Sequence, residues 1–345
     1  MRTPVSVGVV GLGRGGAELA RAFDDSPRAD VRWVCDERPV GSRARARSAP
    51  AFTRELDDLL ADETLDAVAF AAPDASRRAL VRRALDADKH VYVEGPLGMR
   101  AGDTVELMRL AELKNRRLMI GHSLVYHPGI RKLKELMELG RLGEVYYLTA
   151  TMTASHRSAE DESVLTAEAG DAVATILYLL GDEPIHTWWM SDSYAQSAGP
   201  EVADCHLRFA TGIAATLQVS WLDARDQCRI AAVGSRRTAV FDAAEPSRKV
   251  TIYEHGSPRG AEIVCPRVPV DEPLHLQCET FLSGVRAAVE YPSTRLAPAV
   301  VRVLESAAGE LREPVPINDR NAARSRLRLA VPARKDGASL STKQR

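Results

Sequence analysis

The chain has few lysines and no excess of charge. Of its 345 residues, only seven are lysine and 39 are arginine, and 46 basic residues stand against 47 acidic ones. This balance argues against a protein that binds nucleic acid by counterion release, and it gives no general attraction to anionic membranes. The longest apolar runs, such as residues 67–73, are too short to span a bilayer.

Cysteine is also scarce and does not form pairs. The spacing of the five cysteines contains no CxxC, which favours reduced thiols over disulfides or a zinc site, so we expect no metal. The N-terminal residues run directly into a strand-like segment without the pattern of a signal peptide, which indicates a cytoplasmic protein. The five cysteines are Cys35, Cys205, Cys228, Cys265 and Cys278.

Strands and helices alternate through the first third of the chain. This alternation predicts an α/β domain, residues 1–122, in which a doubly wound parallel sheet is covered on both faces. The predicted strands are 5–11, 31–36, 65–72, 90–93 and 118–121, and the predicted helices are 18–23, 56–60, 77–85 and 104–114.

The pattern changes after residue 122. An amphipathic helix at 128–139 precedes mainly strands, which predicts an α+β domain, residues 123–312, with a largely antiparallel open sheet. Trp188 and Trp189 lie in one predicted strand and are expected to pack within the sheet. Residues 313–345 form a polar tail with eight basic and three acidic residues. The later predicted strands are 144–151, 185–190, 205–209, 214–219, 229–233, 238–241 and 250–253, and the later helices are 172–180, 274–289 and 297–312.

A glycine-rich loop follows the first predicted strand and opens a helix. Its sequence fits G-x-G-x-x-G, in which the first glycine makes a tight turn, the second lets a pyrophosphate approach the backbone, and the third permits close packing of helix and strand. Asp36 ends the second strand, where a carboxylate can accept hydrogen bonds from ribose hydroxyls. The predicted cofactor-binding residues are Gly11, Gly13, Arg14, Gly15, Gly16, Asp36, Arg38, Pro73, Glu94 and Pro96.

The charges beyond the second strand bear on the choice of cofactor. Asp36 favours NAD, because its negative charge would repel the 2′-phosphate of NADP. Arg38 and Arg43 follow directly and either hold such a phosphate or are solvated loop residues. NAD is therefore expected, with NADP as the alternative.

These motifs, with several later ones, resemble the Gfo/Idh/MocA family of nicotinamide-dependent oxidoreductases, and in particular its members that act on sugars and nucleotide sugars. The resemblance implies a Rossmann domain followed by a domain whose open sheet carries subunit contacts, and hydride transfer at a sugar carbon. Besides the glycine loop and Asp36, it rests on residues 91–97, 121–122, 126–128, 130–144, 177–181 and 220–222.

The resemblance breaks at the positions that assist proton transfer. The family places a lysine in a Glu-Lys-Pro motif, where this chain has Gly95. It places a histidine where this chain has Asp171, which is either a base or the N-cap of the next helix. Arg77 stands where members often have histidine, and it either neutralises an anionic substrate or lies on a helix surface. Glycine cannot exchange a proton, and losing one acid–base group costs about 10²–10⁴-fold in rate.

Other residues near the expected cleft are candidates to replace the missing groups. Asp171, His127 and Tyr126 are the predicted catalytic residues, with His127 as the best compensating acid–base group, although it could equally cap a helix. His122, His156 and Arg157 lie on neighbouring segments. Glu94 is expected to have a structural or cofactor-positioning role.

Three functions remain open at this point. The first is an NAD(P)-dependent oxidoreductase that acts on a sugar-like or cyclic hydroxyl or ketone substrate with reassigned proton transfer. The second is a redox-neutral isomerase, lyase or cyclase on the same scaffold, and the third is a non-catalytic, cofactor-binding partner subunit. We expect a small-molecule substrate, a homo-oligomer (dimer or tetramer), and no nucleic-acid or membrane partner.

Overall fold

The computed structural model describes residues 3–37, 49–72, 74–155, 163–194, 199–255, 263–287 and 289–308. Its first sheet has six parallel strands in the order β3-β2-β1-β4-β5-β6. Strand β1 is buried along its whole length, as expected for a strand covered on both faces. The strands are β1 (Val5–Val10), β2 (Ala29–Cys35), β3 (Ala51–Thr53), β4 (Ala67–Phe70), β5 (His90–Glu94) and β6 (Leu118–Gly121).

Helices cover this sheet and connect it to the rest of the chain. The predicted α/β alternation is confirmed, although the three-residue strand β3 and the one-turn helix α5 were not predicted. The helices are α1 (Arg14–Asp24), α2 (Leu56–Leu60), α3 (Asp74–Asp86), α4 (Ala101–Leu113), α5 (Ser123–Tyr126), α6 (Pro128–Glu138), α7 (Gly170–Leu180), α8 (Pro273–Arg286) and α9 (Pro292–Ala308).

The second sheet has eight strands in the order β14-β13-β12-β11-β7-β10-β9-β8. All pairs are antiparallel except β7 with β10, so the prediction of a largely antiparallel sheet is confirmed. The strands are β7 (Val145–Thr153), β8 (Pro184–Asp192), β9 (Val202–Phe209), β10 (Ala214–Ser220), β11 (Gln227–Gly234), β12 (Arg237–Asp242), β13 (Val250–Glu254) and β14 (Ile263–Val264).

The two faces of the second sheet differ. Alternate side chains point inward, and Trp189 is buried there with its indole nitrogen donating to the carbonyl of Val303 at 3.0 Å. Its neighbour Trp188 points the other way, is 57% exposed and stacks on His206 with ring centroids 5.4 Å apart. Both tryptophans therefore belong to the sheet, but only Trp189 is a core residue.

The last two helices also pack against the first sheet. Thr294 on α9 accepts a hydrogen bond at 2.9 Å from the backbone nitrogen of Ile120 in β6. Phe281 on α8 makes edge contacts with Phe23 and Tyr92, with ring centroids about 6 Å apart. These contacts join the two sheets within one unit and hold β5 and β6 in place, and the candidate site begins where β5 and β6 end.

Candidate active site

The glycine loop between β1 and α1 has the predicted geometry. Gly11 has a φ of +85°, and a Cβ atom there would lie 2.4 Å from the carbonyl oxygen of Ala71. A Cβ atom on Gly16 would lie 1.6 Å from the carbonyl oxygen of Gly11, so only glycine fits. A Cβ atom on Gly13 would have no protein atom within 4 Å among the described residues, which leaves space for a phosphate.

The start of α1 is suited to an anion. Gly13 is its N-cap and supplies no side chain to satisfy the first amides of the helix. These amides and the positive end of the helix dipole face the loop, which is the arrangement that binds phosphate in dinucleotide folds. The backbone therefore fits the pyrophosphate of NAD.

Asp36 lies against this loop. It follows β2 directly, and its Oδ2 atom accepts a hydrogen bond of 2.5 Å from the backbone nitrogen of Leu12. The parallel sheet brings the carboxyl ends of β1 and β2 to the same edge, so the carboxylate is positioned beside the phosphate loop, where a ribose would lie.

A second cluster forms where β5 and β6 end. Glu94 pairs with Gly121 in the parallel register, which places His122 one residue further along the same edge. The Nδ1 atom of His122 lies 2.9 Å from Oδ1 of Asp171 on α7, and the hydroxyl of Ser123 donates to Oδ2 at 3.2 Å. Two segments distant in sequence, residues 122–123 and the start of α7, therefore meet around one carboxylate.

Asp171 is not an N-cap, which corrects one of the two interpretations from sequence. A π-helical turn, Leu165–Ala169, precedes α7, so the helical backbone begins well before Asp171. Its side chain binds His122 and Ser123 instead, and it remains 29% exposed. π-Helical turns of this kind often occur at functional sites.

Gly95 and His122 occupy adjacent space. A Cβ atom at position 95 would lie 2.4 Å from the carbonyl oxygen of Gly121 and 2.6 Å from Cε1 of the His122 ring. Any side chain at this position would therefore displace His122. Pro96 contacts the start of α7, since a Cβ atom on Gly170 would lie 3.0 Å from its Cδ.

A buried series of hydrogen bonds holds the side chain of Glu94 from the protein interior. The hydroxyl of Tyr92 donates to Oε1 of Glu94 and accepts from the side-chain nitrogen of Gln277 on α8. Burial raises the pKa of Glu94; the bond from Tyr92 opposes this rise, and the charge of Asp171 adds to it. Glu94 therefore retains its proton to higher pH than an ordinary glutamate.

Arg77 fits neither interpretation made from sequence. It is only 9% exposed, so it is not a surface residue. Its guanidinium donates to the backbone carbonyl of Ala72 at 2.7 Å and to that of Pro96 at 3.0 Å. It connects the segments after β4 and β5 and places a positive charge near Glu94, whose pKa it lowers.

Tyr126 and His127 have the contacts of structural residues. Tyr126 is fully buried and its hydroxyl bonds to Ser293 at 3.0 Å, which are the contacts of a core residue, and its catalytic role stays a prediction. His127 caps α6 by accepting from the backbone nitrogen of Gly129 at 2.9 Å. Its ring packs on Phe241, and burial lowers its pKa to about 4, so the capping role is favoured over the catalytic one.

Some predicted residues lie outside the described part of the chain. They are Arg38, Arg43, Pro73, His156, Arg157, the tail at 313–345, and the side chain of Arg14. Conversely, Ser123 and Gln277 were not predicted, and His122 was given only secondary weight. A signal for His122 was present, because it directly follows the last parallel strand, where ligands bind in such sheets.

Comparison with known families identifies the class of protein. A profile described as an oxidoreductase family with an NAD-binding Rossmann fold, GFO_IDH_MocA, matches residues 5–122. The profile of the GFO/IDH/MocA C-terminal domain matches residues 130–240. The chain belongs to the Gfo/Idh/MocA family of NAD-binding oxidoreductases, as the sequence motifs predicted.

Several curated proteins are similar over part of their length. A dTDP-3,4-didehydro-2,6-dideoxy-alpha-D-glucose 3-reductase from Streptomyces violaceoruber is 34% identical over 141 residues, which is 41% of each chain. A 2,7-anhydro-N-acetylneuraminate hydratase from Escherichia coli is 29% identical over 41% of this chain and 38% of its own. Inositol 2-dehydrogenase 1 from Saccharopolyspora erythraea is 27% identical over 62% of this chain and 67% of its own. The first two alignments thus span about two fifths of each relative.

Solved structures share the fold over most of the chain. GenD2 from gentamicin A biosynthesis, in complex with NAD, has a TM-score of 0.76 and 24% identity, with 88% of this chain and 93% of that chain covered. UDP-N-acetylglucosamine 3-dehydrogenase GnnA from Acidithiobacillus ferrooxidans has a TM-score of 0.75 and 22% identity, with 90% and 97% covered. Among the described residues, no helix has the length and apolar character needed to cross a membrane.

Proposed function

We propose that this protein is an NAD-dependent oxidoreductase that acts on a sugar-like or cyclic hydroxyl or ketone substrate. The observation that carries this proposal is the glycine loop, whose close approach of Gly16 to Gly11 and open face at Gly13 fit a pyrophosphate. The names of two relatives, a dTDP-sugar 3-reductase and an inositol 2-dehydrogenase, support the substrate class.

The residues of the chain have separable tasks in such a reaction. Amides at the start of α1 bind the phosphates, and Asp36 accepts hydrogen bonds from the adjacent ribose while disfavouring a 2′-phosphate. NAD, when bound, supplies the hydride acceptor or donor. A proton must also move at the reacting substrate oxygen, and the cluster of Glu94, His122 and Asp171 lies at the same edge of the sheet to exchange it.

A redox-neutral reaction is the second candidate. Two relatives have names that describe hydration or hydrolysis: the 2,7-anhydro-N-acetylneuraminate hydratase and a glycosyl hydrolase family 109 protein from Shewanella amazonensis. A cluster of titratable groups also suits an isomerase, lyase or cyclase, because each of these reactions moves protons. The glycine loop is compatible with this alternative too.

Native mass spectrometry of the full chain with NAD(H) and NADP(H) tests the proposal first. We expect binding of NAD(H) by the wild type and by the control Gly102→Ala on α4, outside the loop, where a Cβ atom would have no described atom within 4 Å. We expect no binding of NAD(H) by the Gly16→Ala variant. Absence of nicotinamide binding by the wild type would overturn the proposal.

Turnover then separates the candidate functions. Myo-inositol and UDP-N-acetylglucosamine with NAD⁺ serve as probes for net redox, followed by NADH absorbance. The 2,7-anhydro-N-acetylneuraminate sugar serves as the redox-neutral probe, followed by mass spectrometry of the product. Net NADH formation supports the oxidoreductase, and product without net NADH supports the alternative. Stable co-purification with another chain and no turnover would indicate a partner subunit.

We further infer a homo-oligomer in the cytoplasm. The outer face of the second sheet exposes Trp188, Met190 and Tyr147, each more than 40% accessible, and such a face suits a second copy of the chain. Cys35 and Cys278 are buried free thiols, as expected in a reducing compartment. A Trp188→Glu variant should shift the mass in sedimentation towards the monomer, and an unchanged oligomer would contradict this interface.

A further inference from the structure

We infer that Glu94 is the group that exchanges the proton with the substrate, with Tyr92 and Gln277 holding one oxygen of its carboxyl group and Asp171, held by His122 and Ser123, as the neighbouring carboxyl group. This inference deepens the proposed function and rests on it. The sequence assigned Glu94 a supporting role and placed Asp171 among the catalytic residues. The geometry around the two carboxyl groups reverses these roles.

The two oxygens of Glu94 have different surroundings. Oε1 receives the hydrogen bond from Tyr92, which is itself fixed by Gln277 in the interior. Oε2 has no hydrogen-bond partner among the described residues, and Glu94 as a whole is partly exposed. One oxygen therefore holds the carboxyl group in place, while the other remains available to a substrate at the edge of the sheet.

Asp171 has a polar partner at each of its two carboxyl oxygens. The ring nitrogen of His122 at 2.9 Å and the hydroxyl of Ser123 at 3.2 Å each approach a different oxygen. If Nδ1 of His122 carries the proton, Nε2 carries only a lone pair. Nε2 is buried without a hydrogen-bond partner among the described residues, so this tautomer leaves no N–H donor unsatisfied there. His122 is a positioning residue for Asp171, because its own side chain is fully buried.

The charges around Glu94 affect the pKa of its carboxyl group. Two neighbouring carboxylates do not ionise together at low cost, so an ionised Asp171 favours a protonated Glu94. The other groups around Glu94 are Tyr92 on its own strand, His122 after β6 and Arg77 on α3, each of which lowers its pKa, and Cys278 on α8, whose thiol has a pKa raised well above its ordinary value by burial. Of these, only Arg77 is a fixed charge, and its guanidinium is bound to two carbonyls.

The step balances as a carbonyl reduction. Glu94 gives the proton of its carboxyl group to the substrate oxygen as the carbonyl carbon gains a hydride, with its two electrons, from the reduced nicotinamide. The C=O π pair becomes the lone pair that takes this proton. The products are an alcohol, the oxidised nicotinamide and the Glu94 carboxylate, which regains a proton from solvent. In the opposite direction the carboxylate accepts the proton of the alcohol.

Infrared spectroscopy of the full chain tests the protonation of Glu94 without any substrate. We expect the C=O band of a protonated carboxylic acid in the wild type to titrate away at a pH above the ordinary glutamate pKa of about 4.3. This band should shift when glutamate is ¹³C-labelled and not when aspartate is, and it should vanish in Glu94→Gln. The control Glu112→Gln changes an exposed glutamate on α4 and should retain the band.

The remaining variants test how the carboxyl groups are coupled. In Asp171→Asn the band should persist but titrate away at lower pH than in the wild type, which a merely structural role would not produce. With a probe that the wild type turns over, Glu94→Gln should lose about 10²–10⁴-fold in kcat with little change in KM. Unaltered kcat in this variant would overturn the inference.

Two results separate this inference from the proposed function. A labelled wild type in which no glutamate acid band persists above the ordinary glutamate pKa overturns the role of Glu94 even if Glu94→Gln fails to fold, and NAD(H) binding would still support the oxidoreductase. Conversely, an acid band from Glu94 in a chain that binds no nicotinamide would leave the protonation intact but overturn the proton transfer built on it, together with the proposed function.

Discussion

The two ends of the candidate site differ in how they are built. At the cofactor end, residues 11–16 and Asp36 act mainly through the backbone and through close packing of glycines. At the proton-exchange end, four side chains from separate elements converge: Arg77, Glu94, His122 and Asp171. The phosphate site is therefore a local motif of residues close in sequence. The proton-exchange site instead depends on contacts between side chains of separate elements, and substitutions can change these contacts without altering the fold.

The largest effect is expected at the cofactor end, for Gly16→Ala. The new Cβ atom would lie 1.6 Å from the carbonyl oxygen of Gly11, so the loop must deform. We expect NAD⁺ affinity, measured by calorimetry, to fall by at least about 100-fold, or about 2.8 kcal/mol. Gly102→Ala on α4 is the control, and equal affinities of the two variants would show that loop packing does not set binding.

The next largest effect should fall at the proton-exchange end, for Gly95→Ala. The added atom meets Gly121 and the His122 ring, so the His122–Asp171 contact should break while the phosphate loop stays intact. We expect kcat to drop by about 100-fold, with NAD⁺ affinity changed by less than about 3-fold.

The control for this variant is Gly102→Ala on α4, where a Cβ atom would meet no described atom within 4 Å. There we expect unchanged kcat and a gain in stability of about 0.4–1 kcal/mol in chemical denaturation. If Gly95→Ala weakened NAD⁺ binding as strongly as Gly16→Ala, the two ends would not be separate.

A smaller effect is expected for Asp36→Ala. Removing the carboxylate removes both the ribose acceptor and the repulsion of a 2′-phosphate, so the preference for NAD⁺ over NADP⁺ should fall by about 10-fold, or about 1.4 kcal/mol. Calorimetric titration with both cofactors measures the ratio. An unchanged ratio would place cofactor choice elsewhere in the chain.

The smallest effect is expected for His127→Asn, because asparagine also caps helices. We expect kcat to change by less than about 2-fold, against 10²–10⁴-fold for a true acid–base residue. The sign of the pH effect follows from the lowered pKa of His127, about 4 in the folded chain against about 6.5 unfolded. The unfolded chain binds the proton first, so wild-type stability falls as pH drops from 6.5 towards 4.

Thermal melts at pH 7.5 and pH 5 measure this dependence. The His127→Asn variant should lose less stability between these two values than the wild type, with part of the loss remaining because burial also lowers the pKa of His90 to about 4. Equal losses in the two proteins would mean that His127 is not held neutral by burial.

How far the sequence predicted the site depended on the range of the contacts. The strand–loop–helix around Gly11–Gly16 is a local pattern, so its geometry was predictable. Asp171 was taken as a candidate N-cap because no sequence signal marks the π-helical turn at Leu165–Ala169 before it. The bond between His122 and Asp171 joins residues 49 positions apart, which periodicity does not report.

Burial decided the remaining corrections. Tyr126 and His127 follow the last strand of the first sheet and so were plausible site residues, but packing against α9 and the second sheet assigns one to the core and the other to a helix cap. Strands β3 and β14, of three and two residues, are too short to show a period and exist through pairing with longer neighbours.

By itself the sequence determined the family, the parallel and antiparallel sheets, the phosphate loop and the absence of a side chain at position 95. These follow from local composition, spacing and the space that glycine leaves. Only the tertiary structure decided which groups meet beside Gly95: a partly exposed glutamate whose pKa burial raises and an aspartate held by a buried histidine. The physical reason is that a side chain's charge state depends on its neighbours, and these come from elements that only the fold brings together.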